Sequence, residues 1–209
     1  MYIPTHFNET DPARIVALIE AYPLGMLVTV PDGVPFVSHL PFLFEAGSGN
    51  SQAKLLGHMA KANPQWQHVS ANREVLVVFQ GPHAYVSPSW YTSPGVPTWN
   101  YAVVHLRGKL RLIKEPLALE ALVERLTETH ESQQLSPWKP NLTGERRIKL
   151  LDMIVGFEID ITDIQGKFKL SQNRPLEDRR RVVEELSQSN NQMEASVAKL
   201  MSEDIRAEF

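Results

Sequence analysis

Residues 81–108, GPHAYVSPSWYTSPGVPTWNYAVVHLRG, are the most informative run in this chain. They hold Trp90 and Trp99, with Tyr85, Tyr91 and Tyr101, and their prolines extend from Pro82 to Pro97. Connections between strands are usually a handful of polar residues. This one is long, aromatic and stiffened by proline. Rings with polar tips favour one apolar side and one hydrogen-bonded side. A loop of this composition covers a flat ligand, seals an interface or packs on a neighbouring element, and composition alone leaves all three open.

Strand patterns flank the loop on both sides. Residues 74–80 (EVLVVFQ) read as a strand that resumes at 83–87 after Gly81-Pro82, and 101–113 (YAVVHLRGKLRLI) as a long strand. Upstream, Asn63-Pro64 predicts a short helix carrying Trp66 and Val69, with Asn63 as cap and proline at the first helical position. Residues 53–57 are a short strand after a loop at 47–50. Asp11-Pro12 opens a helix whose stripe is Ile15, Leu18, Ile19 and Tyr22, and Pro23 ends it. Residues 25–30 and 34–44 form a hairpin about the turn Pro31-Asp32-Gly33. Pro35 and Pro41 mark its return strand as an edge or a bulge.

Downstream, Pro116 starts a helix with Leu119, Leu122, Val123 and Leu126 on one face. A loop at 136–141 and a helix near 143–152 follow. Residues 154–161 alternate as a strand, and 167–173 (KFKLSQN) extend the sheet or form a loop. From Pro175 the chain is helical and polar, and Arg179-Arg180-Arg181 read as a solvated face. The order is antiparallel and mainly β with inserted helices, an α+β chain of six or seven strands. Closure into a small barrel would remove the sheet edges. We divide the chain into a domain at 1–174 and a polar helical C-terminal extension at 175–209 that packs on it.

The 209 residues are 43% hydrophobic, enough for a sizeable core, and the formal charge is −3. That balance is not the basic footprint of a nucleic-acid binder. Cysteine is absent, which excludes disulfides, thiolate metal sites and a cysteine nucleophile. No signal peptide or membrane-length apolar run is present, so the expectation is a cytoplasmic protein. None of the seven histidines has HExxH spacing. No GxSxG elbow and no GxGxxG after a strand occurs. Two places could hold an anion. Lys61 precedes the Asn63-Pro64 helix start, where backbone N–H groups favour negative charge. Lys167 and Lys169 accompany the amides of Gln172 and Asn173.

Taken together, LLGHMAKANPQW (55–66), FQGPHAYVSPSWY (79–91), VPTWNYAVVHLRG (96–108) and GKFKLSQNRP (166–175) resemble the PaiB-like family of FMN-binding split-barrel proteins. MYIPTHF at the start and VSHLPFLF (37–44) fit the same pattern. These proteins are known as negative transcriptional regulators and are related to pyridoxamine-phosphate oxidases and flavin reductases. The resemblance implies an FMN-binding split β-barrel and a homodimer with FMN at the subunit interface, hence two sites per dimer. It implies that Ser38 and His39 face the ring or ribityl chain, and that His58 and Lys61 hold the phosphate. Trp99 and Asn100 line the site, and Lys167, Lys169, Ser171 and Gln172 close it.

Three functions are compatible with this resemblance: an FMN-binding regulator, a flavin-dependent oxidoreductase acting on a small molecule, and a haem-handling protein of the same fold. The net charge and the lack of a recognition-helix pattern predict that any DNA contact is weak or indirect.

Overall fold

Asp11 and Pro12 act as their types predict. In the computed structural model, which describes residues 1–47, 52–68, 74–139 and 143–208, α1 spans Pro12–Ala21 and the Asp11 carboxylate accepts the Ala13 amide at 2.9 Å. Ile15, Leu18 and Ile19 form its buried face. Val69 and most of the loop at 47–50 lie outside the described residues, as do the last positions of the loop at 136–141.

Among the described residues eight strands make one sheet: β1 (Asn8–Glu9), β2 (Leu24–Thr29), β3 (Phe36–Pro41), β4 (Leu43–Glu45), β5 (Lys54–Ala60), β6 (Glu74–Val86), β7 (Thr98–Ile113) and β8 (Ile154–Lys169). Their order is β3-β2-β6-β7-β8-β5-β4, with β1 beside β8. Among the described residues the path ends at β3 and β4, so the sheet is not closed, in keeping with the split β-barrel that the resemblance implies. The helices α2 (Pro116–Glu131), α3 (Gly144–Leu151), α4 (Leu176–Ser187) and α5 (Gln192–Arg206) complete the chain.

Contacts divide the molecule into two compact units. One holds Met1–Tyr22, Phe79–His105 and Gln165–Phe209; the other holds Pro23–Val78 and Leu106–Ile164. The helical tail therefore belongs to the same unit as α1 and the aromatic loop.

In the second unit, β2 and β3 pair from Leu24↔Pro41 to Thr29↔Phe36. The return strand then breaks. Beyond Phe42, whose amide donates to Pro23 O at 2.9 Å, β4 pairs with β5 and no longer with β2. Pro41 has no N–H to continue a ladder, so a change of partner there costs no hydrogen bond. Buried Gln65 ties the hairpin, its amide donating to Leu27 O at 2.9 Å and to Phe36 O at 3.2 Å. Leu122 and Leu126 of α2 bury against Leu56 of β5. At Gly108 a Cβ would meet Asp160 O at 2.4 Å, so the backbones of β7 and β8 approach as closely as they do only because the residue is glycine.

In the first unit, α4 and α5 bury Val182, Leu186, Val197 and Met201. Arg180 and Arg181 are solvated as expected, but Arg179 is buried. It shares a helix face with Val182 and Leu186, and pairs with Asp204 at 3.0 Å and Glu208 at 2.6 Å. The aromatic loop is clamped to the start of α4. Asp178, fully buried, accepts the Thr92 amide at 2.7 Å, the Thr92 hydroxyl at 2.8 Å, and the Ser93 amide and hydroxyl. Arg174 lies 4.5 Å from the Tyr91 ring centroid and donates to Pro94 O at 2.9 Å.

The Ser93 hydroxyl, then the Thr92 donors, hold the Asp178 carboxyl down to about 2 from its ordinary 3.8, against the opposing push of burial. A depressed carboxyl contributes stability above its unfolded pKa and loses it as pH falls through the folded one. Asp178→Asn is expected to cost about 1.5–3 kcal/mol at neutral pH. The gap to wild type should narrow as pH drops from about 4 to about 2. Thermal melts followed by circular dichroism across that range check it, and a gap independent of pH would contradict the clamp.

Candidate functional site

The ten residues that the sequence points to fall into two groups, one per unit. Ser38, His39, His58 and Lys61 lie in the second unit. Alternation along β3 leaves His39 exposed and Ser38 half-buried, with Ser38 Oγ accepting from Asn63 Nδ2 at 2.8 Å. His58 sits on β5, where burial lowers its pKa; its Nδ1 is buried and has no hydrogen-bond partner among the described residues. Lys61 follows β5 with an exposed side chain.

The helix expected after Lys61 is a single 3-10 turn, Pro64–His68. The amide of Lys61 donates to Met153 O at 2.8 Å, that of Asn63 to Ala60 O at 2.9 Å, and that of Gln65 to Asn63 Oδ1 at 3.0 Å. These donors are spent, so what Lys61 offers an anion is its ammonium.

The other six lie in the first unit. Trp99 is the second residue of β7 and is 52% exposed. Its ring meets His83 at 5.8 Å and Tyr85 at 6.1 Å, both on β6, leaving an aromatic surface with one open side. Asn100 points the other way and is fully buried. It donates to Ser171 Oγ at 2.9 Å and to Met201 Sδ of α5 at 3.3 Å, and accepts from Ser171 Oγ at 3.1 Å. Ser171 is also buried and has φ 65, left-handed backbone that non-glycine residues seldom adopt. Gln172 closes the turn, accepting from Leu170 N at 2.8 Å and donating to Phe168 O at 2.7 Å. Asn100, Ser171 and Gln172 thus hold the turn in place, with their polar groups already paired.

That turn sets cations on the loop. Lys169 donates to Thr98 Oγ1 at 2.7 Å and to Trp99 O at 2.6 Å. Lys167 is 9% exposed and donates to Tyr2 O at 3.2 Å, with the Tyr101 ring centroid 5.3 Å away. Burial lowers the pKa of Lys169, and the charges of Lys167 and Arg174 lower it further.

Arg14, Arg111, Arg147 and Arg179 each engage two carboxylates. Among the described residues no ion pair involves Lys167, Lys169 or Arg174. Three neighbouring cations whose partners are carbonyls, a hydroxyl and ring faces leave negative charge unsupplied. FMN has a flat ring system and a phosphate that is close to doubly negative. Within the first unit, the open Trp99 surface and this cationic group fit both parts. Sequence reasoning missed Arg174, His83 and Tyr85. Arg174 follows the SQN triplet directly, and its position beside that motif was the available signal.

The open antiparallel sheet is that of split-barrel flavoproteins. The flavocytochrome Anf3 from Azotobacter vinelandii superposes with a TM-score of 0.61 at 15% identity, covering 80% of this chain and 72% of that one. An FAD- and heme-binding protein from Mycobacterium smegmatis gives 0.59 at 16% identity over 78% and 73%. At these identities the likeness is one of fold. Residues 1–163 match the family described as "Putative FMN-binding domain", and the chain belongs to that family, whose cofactor is FMN. It is 38% identical over 213 residues to the Protease synthase and sporulation protein PAI 2 of Bacillus subtilis, covering 100% of both chains. It is 33% identical to an uncharacterized protein of Emericella nidulans over 88% of this chain and 89% of that one.

Proposed function

We propose that this chain is an FMN-loaded homodimer that regulates gene expression, as a PaiB-type protein. The observation that carries the flavin part is the half-exposed Trp99 beside cations without carboxylates. In this reading the isoalloxazine lies on Trp99, with Ser38 and His39 toward the ring or ribityl chain. Lys61 pairs with the phosphate and His58 supports it. Lys167 and Lys169 supply charge at the rim, while Asn100, Ser171 and Gln172 position them. The regulatory part is supported by similarity to a B. subtilis protein named for protease synthesis and sporulation. Gene control would place the protein in the cytoplasm. No described helix is long and apolar enough to cross a membrane.

FMN and riboflavin titrations into wild type, Lys61→Ala and Trp99→Ala test the site. A charge-assisted contact contributes about 1.5–3 kcal/mol. Lys61→Ala should therefore weaken FMN roughly tenfold to above a hundredfold, and riboflavin far less. Trp99→Ala should weaken both flavins in a folded protein, because its exposed ring supports little of the core. If FMN is unaffected by Lys61→Ala and lost in Lys169→Ala, the phosphate belongs with the loop cations.

An exposed tryptophan surface also suits a two-fold interface. Light scattering at micromolar protein should give the dimer mass, and a monomer mass would remove that part of the proposal. With a formal charge of −3, direct DNA binding is expected to be weak or to need a partner. A nanomolar, sequence-specific mobility shift at physiological salt with the protein alone would overturn that expectation. Reduction of the bound flavin by a nicotinamide cofactor, with no effect on transcription, would turn the reading to an oxidoreductase. A Soret band in the purified protein would point to haem.

A further inference from the structure

The lysines of this chain differ in what holds the amino group. Lys54 Nζ lies 2.9 Å from Glu158 and 3.9 Å from Asp160, and Lys149 Nζ lies 3.7 Å from Glu145. A carboxylate in that position favours the protonated form. Among the described residues no carboxylate pairs with Lys169. Its Nζ donates to Thr98 Oγ1 at 2.7 Å and to Trp99 O at 2.6 Å. The Phe7 ring centroid, 5.7 Å away, supplies no lone pair. An ammonium has three donors and meets two acceptors here. A free amine has two N–H donors, so the same two partners satisfy it and leave its lone pair unengaged.

The surroundings act in the same direction. Burial lowers the pKa of Lys169, and the charges of Lys167 and Arg174 lower it further. Each unit of such a shift gives roughly tenfold more free amine at neutral pH. The acids of the neighbouring elements are committed elsewhere. Glu9 of β1, the strand beside β8, is engaged by Arg14 at 2.8 Å, and Asp178 of α4 by the donors of Thr92 and Ser93. A lysine partly withdrawn from water and placed near other cations is the setting in which an amine serves as a nucleophile. Lys169 is half-buried, so a small molecule can still reach it. The neighbouring cations favour a molecule that brings negative charge close to its reacting carbon.

We propose that Lys169 is a nucleophilic amine that condenses with a 2-oxo acid to form a Schiff base beside the Trp99 surface. The lone pair of Nζ attacks the ketone carbon, and the carbonyl π pair moves to oxygen, which takes up a proton. Nitrogen then loses a proton, and the hydroxyl leaves as water once it is protonated. One amine and one oxo acid give one imine and one water, with no change of oxidation state. The carboxylate, one bond from the reacting carbon, stays near the charges of Lys167 and Arg174. This goes beyond flavin binding and does not depend on where the FMN phosphate lies, so this site and the flavin site are tested separately.

Pyruvate is the probe, and hydroxyacetone is a neutral ketone of similar size. Cyanoborohydride traps the imine by giving hydride to its carbon, which leaves a stable secondary amine. With the full chain as purified, peptide mapping by mass spectrometry should place the pyruvate adduct on Lys169 ahead of the other lysines. Hydroxyacetone should label Lys169 roughly tenfold more slowly, for want of the charge-assisted contact. Lys169→Arg keeps the charge and should remove the fast adduct. Lys167→Met removes a neighbouring charge, so the pH profile of Lys169 labelling should move upward and its rate at neutral pH should fall severalfold. Should Lys167→Met fail to fold, the wild-type map and pH profile decide. An adduct spread evenly over the lysines, equal rates with the two ketones, or a pH profile like that of the exposed lysines would each overturn the proposal.

Discussion

The aromatic loop depends on one buried carboxylate. Asp178 is fully buried, and no cation pairs with it among the described residues. An isolated ionised carboxylate in such a place would be strongly disfavoured. The loop meets that cost with backbone and hydroxyl donors from Thr92 and Ser93, which together form an anion-binding concavity. The dependence is mutual: the carboxylate needs the loop's donors, and a proline-rich loop with few ladder bonds of its own needs the carboxylate. Arg174 adds a second anchor by stacking on Tyr91 and bonding Pro94 O. With 92–94 fixed, Thr98 and Trp99 enter β7 at a defined place, and everything proposed for the flavin surface follows from that entry point.

The charges around this loop are arranged differently from those elsewhere. Arg111, for example, lies within 3 Å of both Glu158 and Asp160, so its charge is locally neutralised. At the loop the ammonium and guanidinium groups rest on rings and carbonyls. Those partners orient a cation without neutralising it. Lys169 registers the result, since the nearby charges of Lys167 and Arg174 add to burial in lowering its pKa. An anion brought to this place relieves repulsion as well as gaining contacts, which is why the group fits a phosphate-bearing cofactor better than a structural ion pair would.

Much of this was legible in the residues. The Asp11 cap, the hairpin about Pro31-Asp32-Gly33 as far as Pro41, and the α2 stripe are local signals that formed. Pro41 announced an irregularity but not its kind. Whether a strand bulges or changes partner depends on β5, which is remote in sequence. Gly81-Pro82 suggested an interruption, yet β6 runs through it. The β2 ladder covers only Leu76–Val78, so on that side Pro82 has no cross-strand bond to lose. The single long β8 was hidden because its alternation lapses at 162–164, where the side chains are exposed, and resumes where β1 pairs with Gly166 and Lys167. Arg179 reads as part of a solvated run unless Val182 and Leu186 are counted on its face, and its carboxylates, Asp204 of α5 and Glu208 just beyond it, are about one helix away in sequence.

The site residues show why motif reading stops where it does. Trp99 and Asn100 are adjacent, and on a strand adjacent side chains take opposite faces. One is therefore open to a ligand and the other is committed to the interior. A polar residue in such a motif looks the same in sequence whether it touches a ligand or holds what touches it. Ser171 belongs to the second kind. Its left-handed backbone carries a strain of order 1–3 kcal/mol, offset by the two hydrogen bonds exchanged with Asn100 and by the Gln172 closure. This conformation turns the chain so that Lys169 and Arg174, on either side of it, both reach the loop. Met201 of α5 completes the Asn100 amide. The C-terminal helices thus support the turn through Met201 and the loop through Asp178. Their buried residues are part of what gives Trp99 and its cations their positions.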